Sequence, residues 1–285
     1  MFFTKGLSVP EGPVLLDDQS WLVVEMGPDK GCVTCISADG MNHRILARTG
    51  RPNGLAIDRD GYIWVAESEP PALLRMSRDG RYEVFLNECQ GEPFLWPNDL
   101  AFGPDGMLYL TDSGILTTEY LAAPDPDLLF DGRVYRINTQ TGASTIIDRG
   151  IRFTNGVAFG PDDHLYVNET MTGNVYVYKF KDRKLTGRRE YFGNVLSPEK
   201  AEGIKGPDGM KFGADGKLYC TVFNQKDVTV LGRDGQVVQR IATQGRNPTN
   251  LAFGPAGSRR IYVTETEFGS MEILNAGTDG LALYR

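Results

Sequence analysis

Along the chain, short apolar runs alternate with polar positions and are cut every few residues by Gly, Pro, Asp or Asn. In "WPNDLAFGPDGMLYLTDSG", Trp96 to Gly114, two such runs flank a Gly-Pro-Asp-Gly turn. Runs rich in Leu, Val, Ile, Tyr and Phe across a turn of this kind predict a β-hairpin. A near copy, "FTNGVAFGPDDHLYVNET", puts Asn155 where Asn98 stands. The pattern recurs from Asn53, Asn98, Asn155, Asp208 and Asn250, with a looser copy from Glu11 in "EGPVLLDDQSWLVVEM". Successive starts are 42, 45, 57, 53 and 42 residues apart. Register inside the copies is tighter. The polar start and the fifth residue of the second run are 14 apart in Glu11–Glu25, Asn53–Glu67, Asn98–Asp112, Asn155–Glu169 and Asp208–Val222. They are 15 apart in Asn250–Glu265, where the extra residue falls in "GSRR".

Further strand-like runs follow each hairpin, such as "VTVLGRDG" and "QVVQRIAT". Four short strands in a repeat of this length is the period of a propeller blade. The expected fold is therefore all-β, a six-bladed β-propeller with four-stranded antiparallel blades, forming one domain over residues 1–285. Helix signals are nearly absent, and "SPEKAEGI" at 197–204 predicts one turn at most. The last blade's outer strand comes from either "LALYR" at the C-terminus or "MFFTKG" at the N-terminus. The 34 glycines suit a fold with so many tight turns.

In a propeller the first strand of each blade lines the central channel, so equivalent strand starts meet at one mouth. That ring is Glu11, Asn53, Asn98, Asn155, Asp208 and Asn250. A single Asn or Asp there reads most simply as a turn cap bonded to backbone. Six converging oxygen-bearing residues need more, because carboxylates brought together repel unless a cation lies between them. The set is hard and oxygen-only, which suits Ca²⁺, Mg²⁺ or Mn²⁺. Glu25, Glu67, Asp112, Glu169 and Glu265 return to the same mouth further from the axis and are expected to be mainly structural. Asp99, by strand alternation, is expected to face away from the channel.

A net charge of -7 and a pI near 5.0 argue against a nucleic-acid footprint. The densest basic run, "KFKDRKLTGRR", reads as a solvated strand edge. The apolar part of "MFFTKGLSVPEGP" is too short for a signal peptide, and no run of about 18 apolar residues predicts a membrane span. A soluble cytoplasmic protein is expected. Cys32, Cys35, Cys89 and Cys220 give no disulfide framework. Cys32 and Cys35 form a C-x-x-C, but on a strand their side chains point to opposite faces.

The ordered set "EGPV", "RPNGLAIDRDGYIWVAE", "WPNDLAFGPDGMLYLTDSG", "TNGVAFGPDDHLYVNET", "GPDGMKFGADGKLYCT" and "NPTNLAFG…IYVTE" resembles the gluconolactonase/regucalcin (senescence marker protein) family, one motif per blade over the whole chain. The resemblance implies a six-bladed propeller with a divalent metal at the channel mouth and lactone hydrolase activity. It implies Glu11, Asn155 and Asp208 as metal ligands, with Asn98 beside the metal as ligand or substrate contact. Ca²⁺ is the first expectation, with Mg²⁺, Mn²⁺ or Zn²⁺ as alternatives. Sugar-acid members often carry Arg where this chain has Trp96, which argues for a flatter or more apolar substrate. An Arg does stand at the matching offset one blade earlier, Arg51 before Asn53.

The expected activity is metal-dependent hydrolysis of a sugar-derived or other small lactone, with Asp208 as general base and Asn98 beside it. Two alternatives stay open: organophosphate hydrolysis of the diisopropylfluorophosphatase type, and a non-catalytic metal- or ligand-binding propeller. His43 and His164 fall away from the mouth, so a Ser-His-Asp triad is not expected. The longest connection, "SGILTTEYLAAPDPDLLFDG" at 113–132, leaves from the mouth and carries Tyr120, Leu121, Leu128, Leu129 and Phe130. Long loops in compact domains are often functional. With Trp96 and Phe153 this one is expected to wall an apolar substrate pocket, with Arg51, Asn53 and Tyr120 as contacts. "GNVLSPEKAEGIKG", before Asp208, is a second candidate wall.

Overall fold

A computed structural model of the chain describes residues 1–125 and 127–285; Pro126, part of the long connection, lies outside the described residues. Six four-stranded antiparallel sheets form six blades. The channel is lined by the first strands Pro10–Leu15, Pro52–Ile57, Pro97–Phe102, Thr154–Phe159, Gly206–Phe212 and Pro248–Phe253. The N-terminus settles the closure of the ring. Phe2–Lys5 pairs antiparallel with Ser270–Asn275 as the outer strand of the last blade. Residues 281–285 instead lie across the channel end opposite the mouth. There, with the inner strands, they border a largely apolar cavity of about 300 Å³.

The Gly-Pro-Asp-Gly signature does more than turn the chain. Its Asp accepts a hydrogen bond from an aromatic head on the next strand, as Asp105 does from Tyr109 (2.9 Å) and Asp162 from Tyr166 (2.9 Å). In blade two, Asp58 accepts from the indole N–H of Trp64 (2.8 Å). Each aromatic then packs between blades. Tyr109 meets Phe159 at 5.1 Å, Tyr166 meets Phe212 at 4.8 Å and Tyr219 meets Phe253 at 5.3 Å, each crossing to the following blade. The Asp satisfies a hydroxyl that burial would otherwise strand. One motif thus specifies both the hairpin and the packing between blades.

The basic run lies on Asn174–Lys181 and the exposed outermost strand Lys184–Asn194, as the solvated-edge reading required. The four cysteines are free. One short helix was not foreseen from the sequence. Residues 197–204 contain no helix, and the one among the described residues is Thr117–Ala122, inside the long connection. Its polar pattern "TTEYLA" gave no long amphipathic period, and tertiary contacts hold it. Among the described residues no helix is long and apolar enough to cross a membrane.

Candidate active site at the channel mouth

Every inner strand carries a β-bulge at its polar start. In blade three Pro97 pairs with Asp112 and Leu100 with Leu110, so three steps on the inner strand match two on its partner. The other five blades repeat the irregularity. A bulge breaks the alternation of side chains between faces. Two successive residues, the polar start and its successor, can then both address the channel. In four blades the successor is Gly12, Gly54, Gly156 or Gly209, and neighbouring chain leaves no room for a Cβ. One at Gly156 would lie 2.3 Å from the Asp208 carbonyl oxygen, and one at Gly209 would lie 2.0 Å from the Asn250 side chain.

The ring residues reach the same mouth, and their partners differentiate them. Glu11 is buried; its carboxylate accepts a bond from Asn250 Nδ2 (2.9 Å) and another from the N–H of Gly12. Asn250 Oδ1 accepts from Leu251 N–H (2.8 Å), so that amide is committed and orients Glu11. Asn155 donates through Nδ2 to Thr170 Oγ1 (3.2 Å), and its side chain also bonds Asp208. Its Oδ1 is buried without a partner among the described residues. Asn98 donates through Nδ2 to Ser113 Oγ (3.0 Å), which commits its nitrogen and leaves its oxygen. Asn53 is buried at the matching position of blade two.

Burial, and then the negative charges of Asp208 and Asp99, push the Glu11 carboxyl well above the usual range, against the pull of Asn250 and Gly12. Burial also raises Asp208, with Asp99 adding to the effect and Asn155 opposing it. Asp208 keeps some exposed surface, yet the surrounding channel wall strips most of its water. Two acidic groups held close at the cost of their own ionisation describe a site short of positive charge.

Asp99 corrects the expectation that it faces away. The bulge turns it inward, where its charge bears on both Glu11 and Asp208. Asp99 Oδ1 accepts from Leu100 N–H (2.8 Å), Oδ2 from Val157 N–H (3.4 Å), and Lys211 Nζ lies 3.6 Å from Oδ2. Its own N–H bonds Thr111 Oγ1 (3.0 Å), which in turn donates to the Asn155 carbonyl (2.6 Å), tying blades three and four beneath the mouth. The signal was legible: blade three has Asp where four other copies have Gly.

The outer carboxylates hold backbone. Glu25 accepts from Ser8 N–H (2.8 Å), Glu169 from Arg152 N–H (2.6 Å) and Glu265 from Asn247 N–H (3.0 Å). Asp112 accepts from Leu95 (2.8 Å), Trp96 (3.0 Å) and Gly114 (2.9 Å). Each clasps the segment that leads into its blade's inner strand.

The long connection packs against blades three and four in an aromatic cluster. Trp96, Ile115, Phe130 and Phe153 make a buried cluster, with Tyr120, Leu128, Met171 and Ile204 against it. Phe130 stacks on Phe153 at 5.4 Å and 5°, while Trp96 meets Phe153 at 5.2 Å and Tyr120 at 5.7 Å. Ile204 brings in the second candidate wall. Leu121 and Leu129 are exposed and take no part. Arg51 places its Cζ 5.4 Å from the centre of the Trp96 ring. His43, on an outer strand, bonds Thr4 Oγ1 at 2.7 Å, and His164 lies at the hairpin turn, both away from this mouth.

The SMP-30/Gluconolactonase/LRE-like region model matches residues 10–267. The chain belongs to this family. A gluconolactonase from Zymomonas mobilis is 27% identical over 265 residues, covering 87% of this chain and 73% of that protein. The pentonolactonase XacC of Haloferax volcanii is 30% identical over 265 residues, covering 89% and 80%. The solved structure of the calcium-binding protein regucalcin from Agrobacterium tumefaciens superposes with a TM-score of 0.79 at 18% identity, covering 99% of this chain and 98% of that one. At that identity the superposition shows the shared fold.

Proposed function

We propose that this chain is a divalent-metal-dependent lactonase acting at the channel mouth. The observation that carries the reading is Asn155 Oδ1, a buried acceptor with no partner among the described residues, beside the Glu11 and Asp208 carboxyl groups, whose ionisation desolvation and like charge disfavour. Donors of this kind fit a hard cation: Glu11, Asn155, Asp208 and the Asn98 oxygen would hold it, with Ca²⁺ first among the candidates. When bound, such a cation supplies Lewis acidity toward a lactone carbonyl. The lactonase relatives support the substrate class.

In this reading Asp208 takes the proton from the attacking water as its oxygen bonds to the carbonyl carbon, and returns it to the ring oxygen as the acyl C–O bond breaks. Asn155 holds Asp208 in place, and Asn250 does the same for Glu11. Asn98 orients the reacting end of the substrate. The faces of Trp96, Phe153 and Tyr120 hold the lactone ring and keep bulk water out, with Arg51 and Asn53 meeting its polar substituents.

The test is a lactone panel assayed after chelation and after return of single divalent ions, alongside Asp208→Asn. Hydrolysis should vanish on chelation, return with Ca²⁺, and fall about a hundredfold or more in the variant. Hydrolysis unchanged by both treatments overturns the proposal. Turnover of organophosphates with none of lactones would move the activity to that class.

A further inference from the structure

Among the described residues, the polar atoms near the mouth that are buried without partners include Asn155 Oδ1, the Thr49 and Thr154 hydroxyls, the acceptor Glu67 Oε2, and two groups of one kind: Trp96 Nε1 and Arg51 Nη1. Both are donors and neither can accept, since an indole N–H and a guanidinium offer only protons. They belong to adjacent side chains, the guanidinium lying over the indole. Such donors, withheld from water and given no acceptor, are costly to keep unless a ligand meets them.

The setting is built rather than incidental. Arg51 precedes the inner strand of blade two, and its N–H is held by the Glu67 carboxylate. Its carbonyl accepts from Ser68 through both N–H (3.1 Å) and Oγ (2.6 Å). The Ser68 carbonyl in turn accepts from Thr117 Oγ1 (3.2 Å), on the helix of the long connection. The backbone of Arg51 is therefore fixed between blade two and the wall, and its side chain crosses to blade three. Glu67 and Glu69 bring negative charge near. Glu67 Oε1 is spent on the backbone N–H groups of Arg51 and Glu69, and Oε2 makes no bond to the guanidinium.

We infer that the substrate carries an anionic carboxylate in addition to its lactone, and that Arg51 with Trp96 Nε1 receives it. This rests on the lactonase reading and narrows it to lactones of acids bearing a second carboxylate. It also amends the expectation drawn from Trp96. A cation does reach blade three, delivered from blade two onto the Trp96 ring. The ring of the substrate then faces Trp96, Phe153 and Tyr120, while its charged end meets the guanidinium, whose fork matches a carboxylate better than an ammonium would.

The matched probes are D-glucono-1,4-lactone and D-glucaro-1,4-lactone, which share a ring and differ in a terminal hydroxymethyl against a carboxylate. Calcium-loaded protein should favour the second in kcat/KM by about ten- to a hundredfold, the range of one charge-assisted hydrogen bond. Arg51→Gln should collapse that ratio, Arg51→Lys should restore part of it, and Trp96→Phe should lower it by less. A second measurement needs no hydrolysis: calorimetric titration of metal-free protein with methyl α-D-glucuronide and methyl α-D-glucoside. The glucuronide alone should bind, and Arg51→Gln should abolish its binding. If no lactone turns over but the glucuronide still binds through Arg51, the lactonase reading fails and the anion site stands. If lactones turn over with equal kcat/KM and the glucuronide does not bind, the anion site fails alone. A preference that survives Arg51→Gln overturns the assignment to Arg51, as does a variant whose only defect is lost stability, the mark of an Arg51–Glu67 pair.

Discussion

Asp112→Ala probes how the mouth is held in shape. Asp112 is fully buried, and its carboxylate accepts three backbone N–H groups, from Leu95, Trp96 and Gly114. Those groups belong to the segment entering the Asn98 strand and to the first turn of the aromatic wall. A hydrogen bond to a charged group contributes about 1.5–3 kcal/mol, so three give a gross loss of about 4.5–9 kcal/mol. Part is returned, because burial already disfavours this carboxylate and holds its pKa above the ordinary value despite the three bonds. A net loss of about 3–5 kcal/mol is expected, in the range seen when one partner of a buried charged contact is removed. Against a usual total of about 5–15 kcal/mol, that is a large fraction. Urea unfolding followed by far-ultraviolet circular dichroism reads it as a lower midpoint at unchanged slope. Glu265→Ala is the control. Glu265 likewise accepts three backbone N–H groups, from Asn247 (3.0 Å), Glu267 (2.8 Å) and Phe268 (2.9 Å), in a blade without the aromatic wall. The two variants should lose similar stability, and only Asp112→Ala should also raise KM for the lactone substrate. A loss under about 1 kcal/mol in Asp112→Ala, or equal KM effects in both, would refute the clasp argument.

Two further outcomes follow from the charge balance of the mouth. Ca²⁺ at a hundred times its Kd should stabilise the protein by about 2.7 kcal/mol, visible as a rise of several degrees in Tm; Glu11→Gln and Asp208→Asn should each remove that rise while remaining folded. The pH dependence has a defined sign. Glu11 and Asp208 have folded-state pKa values above their unfolded ones, so their ionisation destabilises the metal-free fold. That penalty is absent below the unfolded carboxylate range and grows as pH rises above it. Metal-free protein should therefore gain stability as pH falls from neutral toward the ordinary carboxylate range, by up to about 1.4 kcal/mol per pH unit for each extra proton held by the folded state. Saturating Ca²⁺ should flatten this slope, and a chelated protein whose Tm falls steadily over the same interval would contradict it.

The repeat unit determined the fold because each copy carries its own instructions. The turn Asp and the aromatic residue it bonds lie four residues apart in Asp105–Tyr109 and Asp162–Tyr166, so a local pattern encoded a contact between blades. Equivalent positions around a closed ring must meet, and for that reason Glu11, Asn98, Asn155 and Asp208 could be grouped at one mouth from spacing alone. Trp96, Tyr120 and Phe153 could be grouped with them because one long connection leaves from that mouth. Three matters lay beyond the sequence. Asp99 turns inward only because a bulge interrupts strand alternation, and a bulge is a relation between two strands that one strand's pattern does not carry. The choice between the two ends of the chain for the last outer strand was open, since both are short and apolar; pairing with Ser270–Asn275 selected Phe2–Lys5. The chemical sense of Arg51 depended on where its side chain ended. In sequence it was an arginine one blade away from where one was expected. Only the packing of blade two against blade three put its guanidinium over Trp96, with a donor left to spare.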